Sequence, residues 1–535
     1  MKHAPITLCA VLTGLLLIIR VADAQNSKSQ FVYLMPPPQE SHHTVVMGDT
    51  NAKDPEVAGH PLLVGRRNAP IASRQSTPPT VGEQKSSRSR YQTFFRAAGH
   101  LVKSHTFELV KQPFTSAGRL VCLFGDTAFG LINRADIRFR CQPVLARTLV
   151  PPNLSTDAMD LAVWESELDR MTGRPAIEGR ICYLIDGPAF FSALESAVQN
   201  AKSSVHMQTY IYADDDVAMK FADLLMAQSH ALDVRILYDG LGTIMAQGVA
   251  AESLPFGYDA PRCVHRYIEN NSRAKVRVIS NTWLTSDHIK NTIIDGQRAF
   301  IGGMNVGREY RHEWHDMMIE LEGPVVRELG TMFDLAWARA GIQGDLGFIR
   351  HARSNRPACD RRATYPVRLI TTRTGRPHLS NVLKAAVKRA QKYVFLENAY
   401  VADDAMILEL CRARKRGVDV RVVLPEKTNH SVMQHNNKIA EQTLLAHGVR
   451  VFRYPGMTHI KAIVVDGWAC LGTANFDKLS FHVNLELNVA TSDETAVNEL
   501  IDQLFLKDMC VASEILFPET LGVKDYVLEL VADEL

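Results

Sequence analysis

Apolar and polar positions alternate along this chain in three distinct regimes. Near the start, an apolar run from Ile6 to Ile19 lies between a short basic segment and Ala22-Asp23-Ala24, which precedes Gln25. This layout predicts a secretory signal peptide over residues 1–24. The run is shorter than the roughly 20 residues that a membrane-crossing helix needs, and an uncleaved anchor in the inner membrane is the alternative. Cys9 follows the bulky Leu8 and does not read as a lipid-attachment site. From about Met35 to Arg90 the pattern vanishes into Pro36-Pro37-Pro38, Pro78-Pro79 and a Ser/Arg run. Residues 25–90 are therefore expected to be a disordered linker. Residues 91–177 mix short apolar patches with one amphipathic helix around Leu161, Trp164 and Leu168, and no role follows for them.

Beyond residue 177 the periodicity becomes regular and occurs twice. SSVHMQTYIYADDD (203–216) leads to a helical pattern at Phe221, Leu224 and Leu225 and then to DVRILYDG (233–240). QKYVFLENAYVADD (391–404) leads to Ile407, Leu408 and Leu410 and then to DVRVVLPE (419–426). Strand, helix and β-branched strand in the same order predict two similar α/β units with mostly parallel buried strands, over 178–355 and 356–535. A duplicated unit directs attention to the interface between its copies. The segment from Gly240 to Asn281, with Tyr258 and Tyr267, forms either a rim or a packed lid.

Composition narrows the function classes. Sixty Lys and Arg against 58 Asp and Glu leave a formal charge of +2, which argues against a nucleic-acid partner. Eight cysteines lie beyond the signal segment, at 122, 141, 182, 263, 359, 411, 470 and 510, with no C-x-x-C. That spacing argues against zinc, while an exported location permits disulfides, Cys122 with Cys141 being the most local pair. Cys411 and Cys470, inside apolar segments, read as buried thiols. No amphipathic basic helix stands out.

Each half carries one copy of a compact polar pattern. HIKNTIIDGQRAFIGGMN contains His288, Lys290, Asp295 and Asn305; HIKAIVVDGWACLGTAN contains His459, Lys461, Asp466 and Asn475. Residues two apart on a strand share a face, so each His and Lys project together. Asp295 and Asp466, each followed by Gly, fall where the strand turns and are expected to orient the strand end. A single H-x-K-x-x-x-x-D also fits an exposed strand, but two copies with matching Asn residues predict one concentrated phosphate site. Ammonium groups and amide N–H groups suit phosphoryl oxygens. One His can attack phosphorus while the other protonates the leaving alcohol.

These motifs, together with IGGMNVG, LENAY and LGTANFDKLSFHVNLELNV, resemble the phospholipase D superfamily, and within it the bacterial cardiolipin synthases, from about Ile181 to Phe505. The resemblance implies two pseudo-symmetric α/β/α lobes sharing one active site, and ping-pong transfer through a phosphatidyl-histidine without a metal or other cofactor. It gives His288 as nucleophile and His459 as general acid, with Lys290, Lys461, Asp295 and Asp466 completing the motifs and Asn305 and Asn475 on the phosphate. It also places Asp316 and Glu486 behind the His of the opposite lobe; Trp314 and His315, beside Asp316, either shape the pocket or pack in the core, and core packing is the favoured reading. The implied partner is phospholipid at a membrane surface, the protein being exported and peripheral. Phosphatidyl transfer, as in cardiolipin synthesis, leads. An exported phospholipase D making phosphatidic acid and a nuclease of the same superfamily are the alternatives, and two intact motifs argue against a non-catalytic binding protein. The chain departs from cardiolipin synthases that begin with two membrane-spanning helices.

Overall fold

The computed structural model describes residues 90–153, 157–354, 365–519 and 521–522. The signal segment with Ala22-Asp23-Ala24, nearly all of the 25–90 linker, the 355/356 boundary and Cys359 lie outside the described residues. The first strands are β1 (Ile177–Glu178), β2 (Arg180–Ile185), β3 (Ser204–Thr209), β4 (Asp233–Asp239), β5 (Lys275–Ile279), β6 (Asn291–Ile294), β7 (Arg298–Gly302) and β8 (Met317–Glu322). They are followed by β9 (Pro366–Thr372), β10 (Tyr393–Asn398), β11 (Asp419–Pro425), β12 (Arg450–Tyr454), β13 (Lys461–Val465), β14 (Trp468–Gly472), β15 (Glu486–Thr491) and β16 (Ser513–Ile515). One sheet has the order β2-β8-β7-β6-β3-β4-β5, the other β1-β9-β15-β14-β13-β10-β11-β12-β16. Strand β1, at the expected start of the first lobe, thus belongs to the second sheet, where Ile177 pairs with Val367.

The expectation of mostly parallel strands is corrected. Only β3-β4-β5 and β10-β11-β12 run parallel within these sheets. The reason lies in the motifs: Asp295-Gly296 and Asp466-Gly467 take positive φ at both residues, the conformation that closes a tight hairpin. Each motif strand therefore returns beside itself as an antiparallel neighbour. The ADDD and ADD segments of the repeat have a local explanation too. Asp215 and Asp403 cap helices Asp216–Gln228 and Asp404–Lys415 by accepting the N–H of Ala218 and Met406, as free N-terminal donors require.

Apolar residues of the two sheets meet in one cluster, Ile293 and Ile319 from the first with Leu369, Val464 and Val489 from the second, beneath helix Val325–Ala340. Each sheet's other face is covered by its own helices, through Phe191 and Phe221 in one lobe and Leu383 and Leu410 in the other. This gives two α/β/α lobes with a common inner layer. Ahead of them run α1 (Arg90–His105), α2 (Phe107–Lys111) and α3 (Pro113–Asp136). Helix α4 (Leu161–Thr172) buries Trp164 and Leu168 against the second lobe. Among the described residues no helix is long and apolar enough to cross a membrane.

The described cysteines are all free, which corrects the Cys122–Cys141 pairing. Both lie on one nearly continuous helical stretch, and 19 residues at about 1.5 Å each separate them far beyond disulfide reach. Cys411 and Cys470 are buried thiols. Tyr258 and Tyr267 bond to the Asp214 carbonyl and the Asp223 carboxylate, so their segment packs on the first lobe.

Asp295 and Asp466 each tie the hairpin to the start of the neighbouring strand. Asp295 accepts the N–H groups of Lys202, Ser203 and Ser204 at 2.7–2.9 Å. Asp466 accepts those of Gln391, Lys392 and Tyr393 at 2.7–3.0 Å, and that of Met159 at 3.0 Å. Because Asp466 is buried, Asp466→Ala leaves these donors unpaired and is expected to destabilise the fold by about 3 kcal/mol. The measurement is the urea unfolding midpoint, and an unchanged midpoint would remove this role.

Candidate active site

The two motif histidines stand where the lobes meet, and each is held by backbone from the opposite lobe. The His288 N–H donates to the Leu485 carbonyl at 2.9 Å, and the Leu485 N–H donates to Ser286 at 2.9 Å. In the other half the His459 N–H donates to the His315 carbonyl at 2.6 Å, and the His315 N–H donates to Met457 at 3.0 Å. These two short bridges are parallel pairings, Asp287 with Leu485 and His315 with Thr458. The next residue after each bridge is an acid, and it meets the opposing imidazole. Glu486 lies 3.0 Å from His288 Nδ1 and Asp316 lies 2.6 Å from His459 Nδ1. Both carboxylates are fully buried.

Lys290 and Lys461 donate to the carbonyls of their own motif histidines at 2.8 and 2.6 Å. This fixes each ammonium beside its imidazole. Burial lowers Lys290 to about 7, against the pull of Glu486, and lowers Lys461 to about 8, against Asp316 and Glu486. Burial likewise takes His288 well below its usual value, reinforced by Lys290 and Lys461, and takes His459 to about 3, with Lys461 adding to the effect. Both imidazoles are therefore neutral at pH 7, and each is influenced by both ammonium groups. The four groups form one site.

Asn305 and Asn475 are buried beside it. The Asn305 side-chain oxygen accepts the Ile211 N–H at 3.0 Å, which turns its NH₂ away as a donor. The Asn475 N–H donates to Ser480 Oγ at 3.3 Å. Asp295 and Asp466 are not brought to the site: they lie at the hairpin turns, at the far ends of β6 and β13 from the histidines.

Aromatic and charged neighbours surround the histidines. The Trp314 ring is 5.3 Å from that of His459, with Tyr310 at 5.8 Å, so Trp314, which packs on the core of the first lobe, also flanks the site. His315 is held between Asp186 at 2.7 Å and Asp508 at 3.0 Å. These bonds raise it to about 10 despite burial. Tyr210 packs edge-on to His288 at 4.8 Å and lies 5.3 Å from Lys290 Nζ; the only signal for it was its place at the end of β3. The lobes also differ at one matched position. Gly303 is pressed so close to Asp316 that a Cβ would overlap its Oδ1, whereas Thr473 in the second lobe donates its hydroxyl to Glu486.

Comparisons with known proteins cover both lobes. Residues 194–337 and 383–509 match the family described as "Cardiolipin synthase, PLD-like domain". Cardiolipin synthase A of Pseudomonas fluorescens is 30% identical over 353 residues, 62% of this chain and 69% of that one. The major cardiolipin synthase of Bacillus subtilis is 29% identical over 350 residues, 63% and 70% of the two chains. Among solved structures, phosphatidylserine synthase from Haemophilus influenzae shares the fold with a TM-score of 0.55 at 11% identity, over 69% of this chain and 99% of that one.

The site as described makes a spectroscopic prediction. With each Nδ1 facing a carboxylate, both imidazoles are expected as the neutral Nδ1–H tautomer in ¹⁵N NMR between pH 6 and about 8. An imidazolium signal from either at pH 7 would contradict the electrostatics above.

Proposed function

Since the chain belongs to the cardiolipin synthase, phospholipase D-like family and is an enzyme of that superfamily, we propose that it transfers a phosphatidyl group from one phospholipid to the hydroxyl of another. The observation that carries this reading is the pair of imidazoles, each backed by a buried carboxylate from the other lobe and each with a buried ammonium group held at its own backbone carbonyl.

The phosphodiester anion enters a site in which both imidazoles are neutral. Its oxygens take the ammonium groups of Lys290 and Lys461 and the amides of Asn305 and Asn475. The added negative charge favours protonation of one imidazole. Glu486, pushed up to about 7 by burial, is only partly ionised near neutrality and gives His288 an incomplete counter-charge. His288 thus keeps its lone pair, and His459, 2.6 Å from Asp316, takes the proton. His288 Nε2 attacks phosphorus as the P–O bond to the leaving alcohol breaks, and His459 gives its proton to that oxygen. The product is phosphatidyl-His288 and a free alcohol. The hydroxyl of a second phospholipid then attacks phosphorus, His459 takes its proton, and the N–P bond breaks to release His288. Asp316 and Glu486 hold the tautomers, as the carboxylate does in a Ser-His-Asp triad. No step requires a metal.

Purified protein on phosphatidylglycerol vesicles is expected to give cardiolipin and glycerol by mass spectrometry, equally with and without EDTA. His288→Ala and His459→Ala, shown to be folded, should each fall by about a thousandfold or more. Phosphatidic acid as the sole lipid product would assign water as acceptor, and full activity in either variant would refute the site. Since both lysines bind phosphate only when protonated, kcat/KM is expected to be high below about pH 7 and to fall as pH rises through about 8. A profile flat from pH 6 to 9 would contradict the lysine role.

A further inference from the structure

Helices α1 and α3 are two-faced in an unusual sense. On α1, Ala97 and Leu101 are buried against Leu241, Met245 and Leu284, while Tyr91, Phe95 and Val102 on the other side are 51–77% exposed. On α3, Ser116 is buried and Arg119 faces inward to Asp287 and Asp345, while Phe114, Val121 and Ile132 are 69–72% exposed. At 100° per residue these three fall within about 20° of one another, so they form a stripe along the 24-residue helix. Scattered exposed apolar residues are normal, but large ones aligned on one face of a helix, beside a second helix with an exposed apolar face, mark an interaction surface.

Position and charge say what that surface meets. The His100 ring abuts Gly240 at the end of β4 and bonds to Asn281 at 2.8 Å. The Trp283 indole donates to the Ser116 carbonyl at 3.0 Å, just ahead of the His288 segment. Further along α3, Cys122 touches Gly375 and the 126–134 stretch shares a cavity with Asp477, Lys478 and His482 of the second lobe. The helices therefore lie over the ends of the strands that bear the site, reaching both lobes. Residues 90–147 contain nine Lys and Arg and three Asp and Glu, a surplus of six in a chain whose total is two. Lys103, Arg140 and Arg147 in it are exposed.

We propose that this apolar face of α1 and α3, flanked by the basic groups of the 90–147 segment, is where the protein docks on an anionic phospholipid bilayer, bringing the shared site to the lipid surface. The proposal rests on the lipid reading above and adds the surface by which the substrate is reached. Large apolar side chains enter the acyl boundary while the basic groups draw on anionic headgroups.

The test places a reporter on the face itself. Phe114→Trp and Val121→Trp are made in the full chain, and their emission above the five native tryptophans is followed with brominated-acyl vesicles. The expected result is quenching of most of the added emission, at about tenfold or more lower lipid concentration on vesicles half phosphatidylglycerol than on pure phosphatidylcholine. Absence of quenching overturns the proposal, and equal quenching on both vesicles overturns it as an anionic-lipid site. Emission that shifts with protein concentration and no lipid would show that a second copy covers the face, which also overturns it. Phosphatidylglycerol turnover in detergent micelles separates the two readings: turnover without quenching sinks the docking face alone, and quenching without turnover sinks the proposed reaction alone.

Discussion

Everything at the centre of this protein depends on two short backbone bridges between its lobes. Each bridge places a histidine of one half against the residue that precedes an acid of the other. A buried carboxylate without a partner is costly, and so is a buried ammonium. Here each carboxylate gains its imidazole partner only when both halves are in place, because Asp316 serves His459 and Glu486 serves His288. The apolar layer shared by the sheets supplies the non-directional attraction between the lobes, while the bridges supply register. Site assembly and lobe docking are one event, and neither half alone contains a complete imidazole–carboxylate pair.

Much of this was legible in the chain. The H-x-K alternation places His288 with Lys290 and His459 with Lys461, and the structure holds both histidines at bridges between the lobes. The D-G steps mark turns in the sequence, and a turn there makes the next strand antiparallel, which is why the sheets are mixed. The position of Asp316 and Glu486 across the interface came from family resemblance, since no spacing rule links residues 143 or 198 positions apart. Tyr210 has no spacing signal for the same reason: an aromatic at a strand end reads as core until the opposite lobe is in view.

The region before the lobes was the least legible, and its chemistry explains why. Periodicity rules take the apolar stripe of a helix as its inner face. In α3 the inner side carries Ser116 and Arg119, directed to acidic groups at the lobe interface, and the apolar stripe points out. The Gly residues at 118, 125 and 130 weaken the helical signal further. A pattern read from the assumption that water lies outside becomes coherent when the surroundings on that side are themselves apolar.

The difference between Gly303 and Thr473 reaches further than one hydrogen bond. Two identical subunits would present two equivalent imidazoles, and a substrate could react in either of two orientations related by the twofold axis with equal ease. In this fused chain a hydroxyl touches one supporting carboxylate, while the other is met by bare backbone. The two histidines are therefore unequal before any lipid arrives. Such broken symmetry gives the pocket a fixed polarity, so a departing alcohol and an incoming one have a defined side from which to leave and enter.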